Sequence, residues 1–220
     1  MSPFPANCCP LCQNPAVPFH RDSRRSYLRC RICQLVFVPS QYWLSRDEEK
    51  AEYDLHQNSA WDPGYRRFLS RLTIPLQNKL LPGQSGLDFG CGPGSALSIM
   101  LREQGFHMYQ YDPFYADDPS SLNRRYDFIC ATEVVEHLRK PNRTFQQLFT
   151  MLKPGGWLGI MTKLVRDQQA FRSWHYIRDL THICFYSRET FEHLTKVFDV
   201  TPEFAADDVI LINSPKSKKQ

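Results

Sequence analysis

Four cysteines set the first chemical constraint in this sequence. Cys9 and Cys12 are separated by two residues, seventeen residues follow, and Cys30 and Cys33 repeat the two-residue gap. Each short loop can present two thiolates to one ion while the long spacer forms a hairpin between them, which is the spacing of a zinc ribbon. The registers Cys9-Pro10-Leu11-Cys12 and Cys30-Arg31-Ile32-Cys33 mirror one another and leave the adjacent Cys8 out of the set. An ion held by four cysteines has no open position for water, so its role is structural or one of recognition. In such knuckles the residue after the second cysteine often has positive φ and is often glycine; here it is Gln13 and Gln34. The start of the chain lacks a signal-peptide pattern, which favours metal over a disulfide scaffold for these paired cysteines.

A second set of residues lies in the middle of the chain. The stretch "GLDFGCGPG", Gly86 to Gly94, carries Asp88 and then glycines at 90, 92 and 94. A dinucleotide loop is spaced G-x-G-x-x-G, so the G-x-G-x-G spacing disfavours a hydride-transfer site. Asp112 closes the run "FHMYQYD" 24 residues after Asp88, where a strand-end carboxylate can accept hydrogen bonds from two ribose hydroxyls. Glu133 opens "EVVEHL" directly after the apolar run "YDFICAT". Further on, "WHYIRDLTHICF" gathers His175, Tyr176, Asp179 and His182, and histidine is the natural general base near neutral pH.

The elements that must position these residues follow from periodicity. Residues 41–81 read as helical: Ser45 and Glu48 form a capping box, and Tyr65, Phe68, Leu69, Leu72 and Leu76 keep helical spacing up to Pro75, which kinks or ends the helix. Tyr53 and His56 on this segment are candidates for a lid. From residue 82 strands and helices alternate, which predicts an α/β fold with a doubly wound parallel sheet, and the runs "FDVTPEF" and "DDVILINS" predict an antiparallel terminal hairpin. The expected organisation is a small ribbon at 1–40, a helical linker or lid at 41–81, an α/β domain at 82–213 and a disordered basic tail at 214–220.

Residues 86–97, Asp112, "EVVEHL", "LKPGGWLGIMT" and "DLTHICFYSRETF" occur in the order found in class I S-adenosylmethionine-dependent methyltransferases, and the chain resembles that superfamily over roughly residues 50–213. The resemblance implies a Rossmann-like sheet and S-adenosylmethionine as the donor. It places the backbone of Gly90, Cys91 and Gly92 around the donor's methionine and ribose, Asp88 behind the loop, Asp112 and Pro113 at the ribose, and Glu133 at the border of the site. It also implies that residues 174–191 close over the acceptor. The sequence departs from the superfamily between Asp112 and Asp127, where only fourteen residues remain and two are proline. A helix and a strand cannot both fit, so the helix should shrink to a turn and the third, edge strand should be missing or vestigial. Phe114 or Tyr115 would then wall the adenine, with Asp117 or Asp118 as candidate acceptors for its amine. Glu133, Glu136 and His137 spell E-x-x-E-H, which resembles the metal-binding core of RNA 3′-end methyltransferases, with His175 or His182 to complete it; the same letters also occur in metal-free small-molecule enzymes.

A net charge of +4 is modest, and four zinc-bound thiolates in the ribbon would offset part of it. No apolar run reaches spanning length, so a soluble, cytoplasmic protein without a membrane partner is expected. The implied function is methyl transfer to an O, N or C nucleophile of a small-molecule acceptor, favoured by the 174–191 segment. An RNA-modifying enzyme is the alternative, because of the ribbon, its arginines and the basic tail. A donor-binding scaffold whose ribbon docks a protein partner is the third.

Overall fold

The computed structural model describes residues 8–55 and 59–216; His56 of the expected lid and 217–220 of the expected tail lie outside the described residues. The ribbon contributes β1 (Ala16–Arg21), β2 (Ser26–Cys30) and β3 (Val36–Phe37). Two helices follow, α1 (Arg46–Asp54) and α2 (Pro63–Gln77). The alternating region comprises β4 (Ser85–Phe89), α3 (Ala96–Glu103), β5 (His107–Tyr111), β6 (Tyr126–Thr132), α4 (Pro141–Met151), β7 (Leu152–Met161), α5 (Gln168–Arg172), β8 (Cys184–Phe185), α6 (Arg188–Val197), β9 (Pro202–Ala206) and β10 (Val209–Asn213).

Six strands form the main sheet in the order β5-β4-β6-β7-β10-β9. The first four run parallel, and β10 pairs antiparallel with both β7 and β9, which is the expected terminal hairpin. Strand β6 shows why a parallel strand reads as a continuous apolar run. Its Phe128 and Cys130 face α2 and α3, while Ile129 and Ala131 join the core under α4 and α6. Among the described residues the edge beyond β5 carries no further strand; the 113–126 connection holds a 3-10 turn at Pro119–Asn123, as its length predicts.

Local chemistry accounts for the helix boundaries. Ser45 and Glu48 form the capping box of α1, and Asp62 caps α2 ahead of Pro63. Pro75 neither ends α2 nor marks its last residue, since the helix continues to Gln77. Its Leu72 and Leu76 press onto Gly159 of β7, where an added Cβ would lie 3.1 Å from Leu72; that burial outweighs the hydrogen bond that the proline removes. At the other end, Ser214 donates its N–H to the Gly156 carbonyl at 2.7 Å and Pro215 accepts from the Gly155 N–H, so the order of β10 extends past the expected start of the tail.

The cysteine ribbon is not set apart from the sheet domain. Strand β8, from the segment that follows β7, pairs antiparallel with β3 and completes a four-stranded sheet, β1-β2-β3-β8. Ribbon residues Tyr27, Leu35, Val36 and Phe37 share one hydrophobic core with Ile129, Ile160 and Phe185. In the ribbon, Gln13 and Gln34 adopt φ of 61° and 62°, the left-handed conformation that glycine usually supplies. Replacing either glutamine with glycine should therefore raise stability by about 1 kcal/mol, read as a higher urea midpoint at unchanged slope.

Candidate functional site

The carboxyl ends of β4, β5 and β6 open onto a cleft of about 590 Å³, covered by α1 and α2 and bounded on its far side by the turn holding Asp179 and His182. This is the crevice in which open α/β sheets bind ligands, and its volume suits a small molecule. The glycine loop forms its floor. The N–H groups of Gly90 and Cys91 donate to the Tyr111 carbonyl at 2.7 and 3.3 Å, turning the chain sharply after β4. Gly90 has φ +75°, and a Cβ there would lie 2.4 Å from Val134, so the turn admits no side chain. Gly92 has φ +60° but meets nothing within 4 Å, which leaves an open cradle above the loop.

Both aspartates of this region order the loop from below. Asp112 accepts the Gly92 N–H on Oδ2 at 3.0 Å and the N–H groups of Phe114 and Tyr115 on Oδ1 at 2.8 and 3.2 Å, while still facing the cleft. Asp88 is buried behind the loop and does not line the cleft; its Oδ2 accepts the Ser98 hydroxyl at 2.9 Å. Burial pushes its carboxyl up to about 6.

The 113–115 turn is clamped by α1. Arg46 donates to the Pro113 carbonyl at 2.8 Å and lies over the Phe114 ring, and the Tyr115 hydroxyl donates to Asp54 at 2.6 Å. Phe114 and Tyr115 line the cleft, whereas Asp117 and Asp118 are exposed and lie outside its lining. Asp118 instead caps the 3-10 turn through the Ser120 N–H. Tyr53 lines the cleft between Phe114 and His137, with ring centroids 5.6 and 5.2 Å away.

The far wall is built from buried acids and two histidines. Glu133, at φ 52°, leaves β6 in the left-handed region and has one buried oxygen without a hydrogen-bond partner among the described residues. Glu136 is fully buried; the Tyr176 hydroxyl donates to its Oε1, and its Oε2 has no hydrogen-bond partner among the described residues. Burial pushes both carboxyls above the usual range, and the neighbouring Glu133 raises Glu136 further. His137 and His182 each direct Nδ1 at a backbone carbonyl, Thr181 at 3.2 Å and Tyr176 at 2.8 Å, so Nδ1–H is the donor in each. Glu136, His137 and His182 bring one ligand atom each within 4.8 Å of one another.

The four active-side candidates separate in space. His182 and Asp179 line the cleft, with His182 Nε2 3.5 Å from Asp179 Oδ2. Burial pushes the Asp179 carboxyl up, but His182 and the Thr181 hydrogen bonds outweigh it and lower it overall. Tyr176 is buried behind Glu136. His175 is exposed outside the cleft, with Nε2 2.7 Å from Lys163 Nζ, so it does not meet the other three. Conversely, Glu49 enters the site unforeseen: it accepts from Tyr53 at 2.8 Å and from Arg139 at 2.7 Å, and no sequence motif marks it. The E-x-x-E-H run did mark His137.

A family described as "Methyltransferase domain" matches residues 56–201. The chain belongs to this methyltransferase-domain family. No curated protein matches the sequence. Among solved structures, the fold of this methyltransferase domain is similar to an O-methyltransferase family protein from Burkholderia thailandensis (TM-score 0.51, 13% identity, 82% of this chain and 63% of that one). It is equally similar to a candidate S-adenosylmethionine-dependent methyltransferase from Methanococcus maripaludis (TM-score 0.51, 15% identity, 79% and 94%). Among the described residues no helix is long and apolar enough to cross a membrane.

The four ribbon cysteines also converge. Cys9 and Cys33 have sulfurs 3.5 Å apart, Cys12 and Cys30 3.3 Å, and all four lie within 4.8 Å of one another. A tetrahedron with 2.3 Å metal–sulfur bonds has edges of about 3.8 Å, so the donor set fits such an ion. The N–H groups of Ile32 and Cys33 point at Cys30 sulfur, as they do around a thiolate. Cys8 stays outside, in a bridge to Pro15.

The raised Asp88 group gives a signed pH effect. The folded state holds this proton more tightly than the unfolded chain, so its stabilising contribution is complete below about pH 4 and lost as pH rises through about 6. Asp88→Asn should therefore raise stability at pH 8 by about 1–3 kcal/mol and flatten the pH dependence between about pH 4 and 6, measured by urea unfolding.

Proposed function

We propose that this methyltransferase domain takes S-adenosylmethionine as donor and methylates an O, N or C nucleophile of a small molecule admitted to the cleft. The observation that carries the reading is the open cradle above Gly92 with Asp112 at its floor, at the carboxyl ends of the parallel strands. In it the backbone of Gly90, Cys91 and Gly92 would hold the methionine and ribose portion, Asp112 and Pro113 the ribose, and Phe114 and Tyr115 the adenine. Such a donor supplies a methyl group on a sulfonium that leaves as a neutral thioether. The protein's task is then alignment and, for an O–H or N–H acceptor, removal of a proton.

His182 is the residue best placed for the proton. Its Nδ1–H is committed to the Tyr176 carbonyl, so Nε2 is the basic atom, and Asp179 Oδ2 at 3.5 Å would face the imidazolium formed there. Glu133 would border the donor's reactive end. Isothermal calorimetry with S-adenosylhomocysteine should show binding that Asp112→Ala weakens at least about tenfold. His182→Gln should leave that affinity unchanged and slow labelling of acceptor when methyl-labelled donor is incubated with fractionated cell extract. Label entering RNA, with activity falling steeply as salt rises, would favour the RNA reading instead.

In the same reading Cys9, Cys12, Cys30 and Cys33 hold a structural zinc ion. A second site is favoured by one specific observation: Glu136, His137 and His182 converge with the histidine Nδ1 atoms already oriented by carbonyls and a buried Glu136 oxygen left over. A divalent ion there would act as a Lewis acid on the acceptor. Metal analysis of the purified chain separates the cases: one zinc per chain, lost in Cys30→Ser, is the ribbon alone. A second equivalent lost in Glu136→Gln supports the second site, and its absence from the wild type at saturating metal removes it.

A further inference from the structure

We infer that Arg25 of the ribbon is a positioning residue for the acceptor half of the cleft. It is 2% exposed, and its guanidinium reaches out of the ribbon into the turn that carries Asp179 and His182. Nη2 donates to the carbonyls of Ile177 at 3.0 Å and Asp179 at 2.9 Å, and Nη1 to that of Leu180 at 3.0 Å. Nε donates to the Tyr27 hydroxyl at 2.9 Å, and that hydroxyl donates to Asp22 at 2.8 Å. Asp22 in turn accepts the N–H groups of Arg24 and Arg25, which fixes the hairpin end from which the side chain departs. Arg24 adds bonds to the Ile177 and Arg178 carbonyls.

A planar fork satisfying three carbonyls of one turn sets the path of that turn in a way that a single point charge would not. The same turn has no strand or long helix of its own to hold it: it runs from a 3-10 segment at His175–Arg178 to the two-residue β8. Its other ties include the Ile183 N–H to the Glu136 carbonyl, His137 Nδ1–H to the Thr181 carbonyl and the Val38 N–H to the Ile183 carbonyl, the last again from the ribbon. Without the fork, the carbonyls of Asp179 and Leu180 lose their buried donor, that of Ile177 keeps only its contacts with Arg24 and Tyr27, and the turn relaxes toward water. Asp179 and His182 then lose their place against the cleft, while Gly90, Gly92 and Asp112, tied to β4 and β5, keep theirs.

The inference rests on the proposed cleft function but is tested apart from it. The full chain, loaded with zinc, is compared with Arg25→Met and Arg25→Lys. For Arg25→Met, hydrogen exchange at the Thr181 and Ile183 amides should quicken by about tenfold or more, with β4 and β6 amides unchanged. Affinity for S-adenosylhomocysteine should stay within about twofold while labelling of the acceptor fraction falls about tenfold or more. Arg25→Lys, which keeps the charge and part of the bonding, should recover part of both losses. Unchanged exchange at Thr181 and Ile183 in Arg25→Met, or a loss of S-adenosylhomocysteine affinity in step with labelling, overturns the assignment. If Arg25→Met fails to fold, Arg25→Lys decides alone: wild-type exchange and labelling overturn it, and an intermediate loss of both with donor affinity kept supports it. Failure of the wild type to bind S-adenosylhomocysteine would instead sink the proposed function, whatever the exchange at Thr181 shows.

Discussion

The pairing of Val36 and Phe37 with Phe185 and Cys184 joins two parts of the chain about 150 residues apart. Everything on the far side of the cleft hangs from it. Strand β8 fixes the end of the turn that carries Asp179 and His182, and the rings of Tyr27, Phe171 and Phe185 pack edge to face across the same junction. A ribbon of about this length cannot bury much core alone; docked here, it shares the core of the sheet domain. The sheet domain in turn gains a wall that its own short loops would not hold.

The two halves of the cleft are supported by different physics. On the floor, the loop after β4 is held by its own backbone, by Asp112 and by the packing of Val134 against Gly90, all within the sheet's immediate ends. On the far wall, buried carboxylates, a tyrosine and two histidines stand in a low-dielectric pocket, where each unpartnered oxygen is costly. Such costs persist where surrounding packing enforces them, and left-handed Glu133 is a further sign of that enforcement. The cover is different again: α1 rests on the 113–115 turn through Arg46, Lys50 and Asp54 at the surface, and on the far wall through Tyr53 and Glu49.

Much of this was legible because the signals are local. Zinc-type cysteine spacing, the Ser45–Glu48 box, the alternating glycines and the apolar β6 run each depend on residues a few positions apart, and each lies where its spacing puts it. The missing edge strand was legible for a similar reason, since fourteen residues with two prolines cannot hold both a helix and a strand. Pro75 does not end α2, because burial of Leu72 and Leu76 against Gly159 carries the helix past it to Gln77.

The sequence by itself determined the element types, the glycine cradle and the candidate donor-side residues, because the period of a helix, the alternation of a strand and the reach of a ligand loop are properties of short segments. Only the tertiary structure decided which of His175, Tyr176, Asp179 and His182 face the cleft, that Glu49 joins them, and that Arg25 bonds to their turn. Those outcomes depend on which distant backbones pair and which carbonyls a buried guanidinium meets, and residue spacing carries no record of either.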